Sequence, residues 1–469
     1  MTIALYNTAM TASKNVRLLY GKTGMELRVP ASAVVLEGQH APVIEDPATA
    51  VRAAFAAPIG APPLAETLAA RRPRTVAITI SDITRPVPNK LFLPPLLAAL
   101  NAGGVPDSAI VIIIGTGMHR PSTPAEREIL LGRELLGRVE VIDHEAHRPE
   151  TLVEVHLPPA AAGGSPGAIR VNRRFAQADF RIVTGYIEPH FMAGFSGGRK
   201  GVCPALVDLA TIQRFHGYRT LAEPLADNGV LAGNPCHRIA LAVARAVGVD
   251  LLLNVAITRE RRLAGIYCGE LQQAHQAGCR DVAEWTAAWI DAPFDLVVTN
   301  GGGYPLDATF YQTVKGMCTA LPALGADSTL LIASECSEQV GSKAYTELML
   351  GYDGDWRRFL GDIAASDLTR LDQWEFQMQA RVLARIGADR LWLASGGMSL
   401  ELQRRLAVTP VANGPAQAGS PPAPAAVRAQ RAIDDFVSRR PAARLAVIPD
   451  GPYTLLRPRL GTMTRASCP

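Results

Sequence analysis

Side chains that can exchange protons, hold anions or attach a cofactor gather in five short stretches of this sequence. The densest is GYIEPHFMAGFSGGRKG, residues 185–201, where His190 and Lys200 lie ten positions apart on a glycine-rich backbone. No Gly-x-x-x-x-Gly-Lys-Ser/Thr spacing fits, so Lys200 does not belong to a phosphate loop. It can act as a point charge or, where water is excluded, as a covalent attachment site. A flexible connection with solvated Arg199 and Lys200 is the plain structural alternative.

The stretch SDITRPVPNK, residues 81–90, follows a predicted strand. It carries Asp82, Thr84 and Arg85 on a turn that its prolines stiffen. An arginine held on such a turn suits bidentate binding of a carboxylate or a phosphate. An Asp-capped turn with a surface arginine fits the same residues.

Two more stretches supply histidines. GTGMHR, residues 115–120, lacks the third glycine of a dinucleotide fingerprint, which leaves His119 at a strand end as its candidate. FHGY places His216 sixteen residues after Lys200. A lone strand-end histidine is more often structural than functional. HEAH at 144–147 has ligand-like spacing, but its context predicts a surface turn.

The fifth stretch is YQTVKG, residues 311–316, in which Gln312 and Lys315 share a face if the segment is helical. Together, the five stretches put histidines, lysines and an arginine near strand ends, which predicts a site. Two histidines on opposite faces of a small substrate suit a reaction that inverts a centre. Arg85 and Lys315 would hold an anionic group. Histidine supplies no hydride sink, so chemistry beyond proton transfer requires a cofactor.

The elements that must position these residues follow an α/β rhythm. Short β-branched runs such as TVAITI (75–80) and AIVIIIGTG (109–117) alternate with Ala/Leu-rich helical segments. This alternation predicts mainly parallel sheets, in which ligands bind beyond the carboxyl ends of the strands. Thr123 and Glu126 have the spacing of a helix capping box.

The rhythm restarts at FDLVVTNGGGYP (294–305), which predicts two α/β domains with the active site in the cleft between them. We expect a catalytic and cofactor-binding domain at 1–288. We expect a second domain at 289–469 that closes over the site, with a Pro/Ala-rich loop at 411–426 and a final segment returning to the first domain.

Composition excludes several classes of protein. A net charge of +4 over 469 residues is too small and too dispersed to predict a nucleic-acid partner. The N-terminus lacks a signal-peptide pattern, and no apolar run approaches the roughly 20 residues of a membrane span, so we expect a cytoplasmic protein without a membrane partner. Seven scattered cysteines without CxxC spacing predict reduced, mostly buried thiols.

In chain order, SDITRPVP, GTGMHR, GYIEPHFMAGFSGGRKG, FHG and YQTVKG resemble the motifs of the lactate racemase family. The resemblance extends to DQWEFQ (372–377) and VIPDGPYTLLRP (447–458). Members of that family carry a nickel-pincer nucleotide. The resemblance therefore implies a racemase or epimerase that inverts C2 of a 2-hydroxy acid, either lactate or a related acid, and that depends on partner proteins to build its cofactor.

The same resemblance implies a role for each matching residue. Lys200 would join the nucleotide as a thioamide, and His216 would complete a nickel site formed by a carbon and two sulfurs of the cofactor. His119 and His190 would exchange the hydroxyl proton while the C2 hydride passes to the cofactor and back, through a 2-keto acid.

The other implied residues contact the cofactor or the substrate. The implied cofactor contacts are Asp82, Ile83, Thr84, Arg85, Gln312 and Lys315. The implied substrate contacts are Arg85, Lys315, Gln312, Tyr311 and Trp374.

Two other functions fit the residues less fully. His119, His190 and His216 could form a zinc site for hydrolysis, which leaves Lys200 and Arg85 unexplained. A two-domain protein could also bind a small carboxylate or nucleotide without turning it over.

Overall fold

The computed structural model describes residues 12–157, 168–366, 368–412 and 423–459. Contacts divide the chain into two compact units. The first unit comprises Gly38–Thr286 and Ile363–Trp374. The second comprises the chain up to Glu37, Ala287–Asp362 and the chain from Glu375. The domain limits expected from the sequence stay a prediction, and residues 413–422 of the expected loop lie outside the described residues.

The strands are short and spread along the whole chain. They are β1 (Ser13–Leu18), β2 (Met25–Pro30), β3 (Val34–Val35), β4 (Val76–Ser81), β5 (Ile110–Gly115), β6 (Glu140–Asp143), β7 (Leu152–His156), β8 (Ala168–Asn172), β9 (Phe180–Tyr186), β10 (Pro189–His190), β11 (Gly194–Phe195), β12 (Leu251–Ile257), β13 (Leu263–Gly269), β14 (Ala287–Ile290), β15 (Phe294–Asn300), β16 (Leu324–Ala333), β17 (Leu391–Ala394), β18 (Thr409–Pro410), β19 (Leu445–Val447) and β20 (Leu455–Pro458).

The α-helices connect these strands in both units. They are α1 (Pro47–Ala56), α2 (Leu64–Arg71), α3 (Asn89–Ala102), α4 (Pro124–Leu136), α5 (Arg173–Ala176), α6 (Leu209–Phe215), α7 (Tyr218–Ala222), α8 (Pro235–Val247), α9 (Leu271–Thr286), α10 (Phe310–Ala320), α11 (Lys343–Tyr352), α12 (Trp356–Ala364), α13 (Gln373–Ile386), α14 (Leu400–Arg404) and α15 (Ala425–Arg439). No helix in the described ranges combines the length and apolar character needed to cross a membrane.

A six-stranded sheet in the order β13-β12-β9-β4-β5-β6 forms the centre of the first unit. All of its pairings are parallel except that of β12 with β13. Ile78 of β4 lies in register with Ile112 of β5 and Ile182 of β9, and all three are fully buried in one core. Helices cover the sheet, so its strands carry continuous apolar runs, as the sequence predicted.

The strand order explains where a ligand can bind in this unit. From β4 the chain proceeds to β5 and β6 on one side, whereas β9 and β12 lie on the other side. The direction of the connections therefore changes between β4 and β9. Crevices at such switch points, beyond the carboxyl ends of the strands, are the usual ligand sites of open α/β sheets.

The second unit has its own parallel sheet, in the order β18-β17-β16-β15-β19-β3. The antiparallel pair β1 and β2 contributes Leu18 and Leu27 to a core that also contains Leu296 and Ile433. The predicted α/β class with mainly parallel sheets is confirmed.

The structure tests three local predictions: the helix capping box, the state of the cysteines and the HEAH turn. The capping box at the start of α4 is confirmed, since Thr123 and Glu126 exchange hydrogen bonds between side chain and backbone. The six described cysteines are buried and form no disulfide, as expected, while Cys468 lies outside the described residues. The surface turn predicted for HEAH is wrong at His144. That ring is fully buried, with Nε2 2.9 Å from the carbonyl oxygen of Val207, because it packs inside the first unit rather than facing water.

Candidate active site

The loop after β4 is organised around the buried carboxylate of Asp82. The backbone N–H and the hydroxyl of Thr84 donate to Oδ1 of Asp82 at 3.2 and 2.6 Å. This local turn holds the carboxylate in place through Oδ1, so Oδ2 can bind a partner from another loop. Oδ2 of Asp82 lies 2.7 Å from Nδ1 of His119, which comes from the loop after the neighbouring strand β5.

His119 is a half-exposed imidazole in this pair, with 49% of its side chain accessible. The hydrogen bond that His119 donates to Asp82 raises the pKa of His119, against the opposing effect of burial. Burial alone would raise the pKa of Asp82, but its hydrogen bond with His119 and the nearby Thr84 and Arg85 hold that pKa below its usual value. With Nδ1–H donated to Asp82, Nε2 is the nitrogen left for exchange of a proton with a ligand.

Arg85 and Glu188 join the loops that follow β4 and β9, on the two sides of the switch point. Nη1 of Arg85 donates to Oε1 of Glu188 at 2.7 Å. The other oxygen of Glu188 accepts from the hydroxyl of Tyr186, and its backbone N–H donates to Oγ of Ser196 at 2.9 Å. The partly buried guanidinium of Arg85 thus lies near the carboxyl ends of β4 and β9, and a guanidinium can bind a carboxylate through parallel hydrogen bonds.

His190 and Lys200 meet within the glycine-rich stretch. Nζ of Lys200 lies 2.6 Å from Nε2 of His190, whose ring is buried. The backbone N–H groups of Met192 and Ala193 point at Nδ1 of His190, at 3.4 and 3.3 Å. Lys200 itself stands in a short 3-10 helix, residues Gly198–Gly201. The ten-residue separation noted in the sequence therefore closes to a direct contact.

His216 caps the C-terminal end of α6. Its Nδ1–H donates to the carbonyl oxygen of Ile212 at 2.9 Å, and its ring stacks on Trp374 with centroids 4.5 Å apart. Burial, assisted by the charges of Lys200 and His119, lowers the pKa of His216 to about 3. The ring is therefore neutral, with Nε2 as an available lone pair. No side chain or backbone group in the described ranges hydrogen-bonds Nε2.

These contacts bring most of the predicted residues of the first unit together. His190 touches Lys200, and both Lys200 and His119 are close enough to act electrostatically on His216. Ile83 differs, because its side chain packs against the hydrophobic core. A contact between Ile83 and a bound molecule would therefore come mainly from its backbone.

The remaining predicted residues lie on α10 of the second unit. Tyr311 packs edge to face against Tyr345, at 5.0 Å between ring centroids. Oε1 of Gln312 is buried and has no hydrogen-bond partner in the described part of the chain. An orphaned acceptor of this kind requires a donor. The roles expected for Tyr311, Gln312 and Lys315 stay predictions.

Two residues near the site, Asp372 and Glu188, were not among the predicted site residues. Asp372 helps to raise the pKa of His119, and Glu188 holds Arg85. Glu188 stands in the glycine-rich stretch, two residues before His190, so its place at a strand end was a usable signal. Asp372 opens the DQWEFQ stretch, but that motif did not predict its approach to His119, because the approach depends on a distant segment returning to the first unit.

The donor chemistry restricts what metal could bind. The described residues form no group of three or more histidines, cysteines and carboxylates arranged for a metal ion. The three-histidine zinc site is therefore not formed among them. A metal at His216 would take one imidazole nitrogen from the protein and its remaining ligands from another molecule.

Family models match two parts of the chain. The lactate racemase N-terminal domain matches residues 20–229, and the lactate racemase C-terminal domain matches residues 290–388.

Two curated relatives are lactate racemases. The one from Thermoanaerobacterium thermosaccharolyticum is 33% identical over 336 residues, which is 71% of this chain and 76% of the relative. The one from Lactiplantibacillus plantarum is 34% identical over 331 residues, which is 70% of this chain and 75% of the relative.

Solved structures agree with these matches. The lactate racemase apoprotein from Thermoanaerobacterium thermosaccharolyticum superposes with a TM-score of 0.82 at 28% identity, covering 95% of this chain and 100% of that chain. A Thermotoga maritima protein superposes with a TM-score of 0.61 at 18% identity, covering 84% and 97% respectively, and this likeness concerns the fold alone.

Proposed function

The chain belongs to the lactate racemase family and is an isomerase of the racemase class, and on this premise we propose that it inverts C2 of a small 2-hydroxy acid such as lactate. The observation that carries the proposal is that two histidines, each fixed by different partners, lie in one unit with Lys200 and His216. His119 is fixed by a carboxylate, whereas His190 is held by backbone amides and lies against Lys200. The two alternatives, a non-catalytic binder and a zinc hydrolase, leave the contact between Lys200 and His190 without a purpose.

The proposed cofactor is a nickel-pincer nucleotide, and the residues of the first unit fit it. Lys200 offers an amine for covalent attachment as a thioamide. His216 offers a neutral Nε2, and imidazole nitrogen is a suitable ligand for nickel. Asp82, Ile83, Thr84 and Arg85 are proposed as further contacts of the nucleotide. When bound, the nucleotide supplies a carbon that accepts a hydride and returns it.

Arg85 binds the substrate carboxylate in this proposal. Its guanidinium can form parallel hydrogen bonds to two carboxylate oxygens, and Glu188 fixes one of its nitrogens. Gln312 and Lys315 of α10 are proposed as additional polar partners, with Tyr311 and Trp374 against the apolar part of the acid. Gln312 contributes a buried acceptor, Oε1, that has no hydrogen-bond partner among the described residues.

The two histidines then exchange the hydroxyl proton. One ring accepts the proton from the substrate hydroxyl at Nε2, and the other returns a proton on the opposite face. Asp82 stabilises the protonated form of His119, so this ring readily carries the proton. His190 can act only once its Nε2 is released by Lys200, and conversion of the Lys200 amine to a thioamide removes the charged group that occupies Nε2. The proposal also includes a cytoplasmic location and dependence on other proteins that build the nucleotide.

A chiral assay of cofactor-loaded protein tests this function. D- and L-forms of several 2-hydroxy acids are incubated separately, and each should approach an equal mixture of enantiomers. Exchange of the C2 hydrogen with solvent should be small, since the hydride returns to the molecule from which it came. Binding without inversion of any acid in the panel would favour the non-catalytic binder, and hydrolysis of an ester or amide would favour the zinc enzyme.

A further inference from the structure

Arg199, the neighbour of Lys200, is buried although it is charged. Its side chain is only 1% exposed, and burial lowers its pKa to about 10. None of the described carboxylates forms an ion pair or a hydrogen bond with it. Burying a charged guanidinium without a carboxylate partner costs desolvation free energy, so we expect its contacts to have a role.

Those contacts tie three segments of the first unit together. Nη2 of Arg199 donates to the carbonyl oxygen of Ala193 at 2.6 Å, and Nη1 lies 3.0 Å from Nε2 of His275 on α9. Nε2 of His275 is also 2.9 Å from the carbonyl oxygen of Ser196. Burial and the charge of Arg199 keep the pKa of His275 far below its usual value, so the ring is neutral. It can accept from Arg199 or donate to Ser196, and either bond fastens it to the same loop.

Glycines make room for this arrangement. A Cβ on Gly198 would lie 2.5 Å from Cγ of His275, and Gly198 has a φ of +55°. Its backbone N–H donates to Oδ1 of Asn254 at 2.6 Å. The loop therefore lies directly on the imidazole and on β12, with no space for a side chain between them.

The Arg199 contacts lead to His190. Ala193, whose carbonyl oxygen accepts from Arg199, is also one of the two residues whose N–H points at Nδ1 of His190. On the other side, the residue after Arg199 is Lys200, whose Nζ lies 2.6 Å from Nε2 of His190. Both nitrogens of the His190 ring are thus contacted by residues that Arg199 holds or adjoins.

We propose that Arg199 and His275 form a buried clamp that sets the position of His190 relative to Lys200. Arg199 is then a positioning residue, not a catalytic one, because it touches neither reacting group. The importance of the clamp for turnover rests on the proposed function, whereas its effect on the His190 ring does not.

Substitutions of Arg199 and His275 test the clamp. Arg199→Met removes both hydrogen bonds with little change in volume, and Arg199→Lys keeps the charge but cannot reach both acceptors. In loaded enzyme, Arg199→Met should lower kcat about 10–100-fold with KM changed less than about threefold, because misplacement affects the reacting geometry more than binding. The kcat of Arg199→Lys should lie between that of Arg199→Met and that of the wild type. His275→Gln keeps an acceptor and should recover most of the kcat that His275→Leu loses.

Arg428 provides the matched control. It is also buried, at 2% exposure, and bonds to backbone carbonyl oxygens, those of Ser395, Val411 and Ala423 in the second unit. Arg428→Met should lower Tm as Arg199→Met does. The kcat of its folded fraction should stay close to that of the wild type. Equal loss of kcat in both variants would show a general effect of instability and overturn the proposal.

A second measurement uses cofactor-free protein. With ¹⁵N-labelled histidine, the ring nitrogens of His190 report its tautomer, and the His190 signals are assigned by their loss in His190→Gln. Arg199→Met and His275→Leu should move these shifts toward the average of the two tautomers, and Arg428→Met should not. Unchanged His190 shifts in Arg199→Met would refute the clamp. If wild-type protein shows no racemisation but the shifts respond as expected, the proposed function fails while the clamp stands.

Discussion

Asp82 and His119 form a hydrogen-bonded pair across two neighbouring strand ends, with Oδ2 and Nδ1 2.7 Å apart. β4 delivers the carboxylate and β5 delivers the imidazole, and the parallel pairing of Ser81 with Gly115 sets the distance between the two loops. The pair is therefore a consequence of strand order, not of closeness in sequence. In the proposed reaction, this pair fixes which nitrogen of His119 faces the substrate.

Asp82→Asn should weaken catalysis and shift its pH dependence. The neutral amide no longer stabilises the imidazolium, so kcat/KM should fall about 100-fold or more. Asp82 raises the pKa of His119, and its removal should lower that pKa. The limb of the pH profile that reports deprotonation of His119 should then move to lower pH. A limb that stays in place or moves to higher pH would contradict this account of the pair.

Arg85→Lys should separate binding from chemistry. Lysine keeps the positive charge but cannot donate two parallel hydrogen bonds to a carboxylate, so KM for a 2-hydroxy acid should rise about 10–100-fold. The kcat at saturation should change less. Steady-state kinetics with both enantiomers measures the two parameters. A fall in kcat with unchanged KM would argue that Arg85 serves the cofactor alone.

His216→Ala should abolish nickel binding without unfolding the chain. The ring packs on Trp374 and Phe215 at the end of a helix. Its loss therefore removes contacts with these two side chains but leaves the hydrophobic core intact. The nickel content of the loaded protein, measured by elemental analysis, should fall from about one nickel per chain to nearly none. His156→Ala is the control, because that histidine is 81% exposed on β7. Retention of nickel by His216→Ala would remove His216 from the metal site.

Gly198→Ala should be strongly destabilising. Its φ of +55° and the 2.5 Å approach to Cγ of His275 leave no room for a methyl group, so the free energy of unfolding should fall by about 2–4 kcal/mol. Gly351 on α11 is the comparison, since nothing lies within 4 Å of a Cβ there. Gly351→Ala should raise the free energy of unfolding by up to about 1 kcal/mol. Denaturant titrations measure both values, and similar effects from the two substitutions would show that the loop relaxes around the added methyl.

The strands that position the site could be predicted because they are buried on both faces. TVAITI and AIVIIIG form continuous apolar runs, and they appear as β4 and β5 within one or two residues. The adjacency of β4 to β9 was not available from periodicity, since strand order depends on contacts between distant segments. The Arg85–Glu188 bond across the switch point was missed for this reason.

Burial of polar residues was the other quantity that local sequence could not provide. His144 was placed on the surface because carboxylates and a proline surround it in sequence, yet its ring is enclosed by β8 and the segment at Val207. Arg199 reads as a solvated partner of Lys200, but the two side chains point to different neighbours. Such choices are decided by tertiary packing.

The mass of the peptide containing Lys200 tests the central claim most directly. Protein produced in a host that makes the nucleotide is digested and analysed by mass spectrometry, with Lys200→Arg as the control. The account predicts a Lys200 peptide heavier by the attached nucleotide, absent from the control, in a sample that racemises a 2-hydroxy acid. Racemisation by protein whose Lys200 is unmodified and which holds no nickel would contradict it.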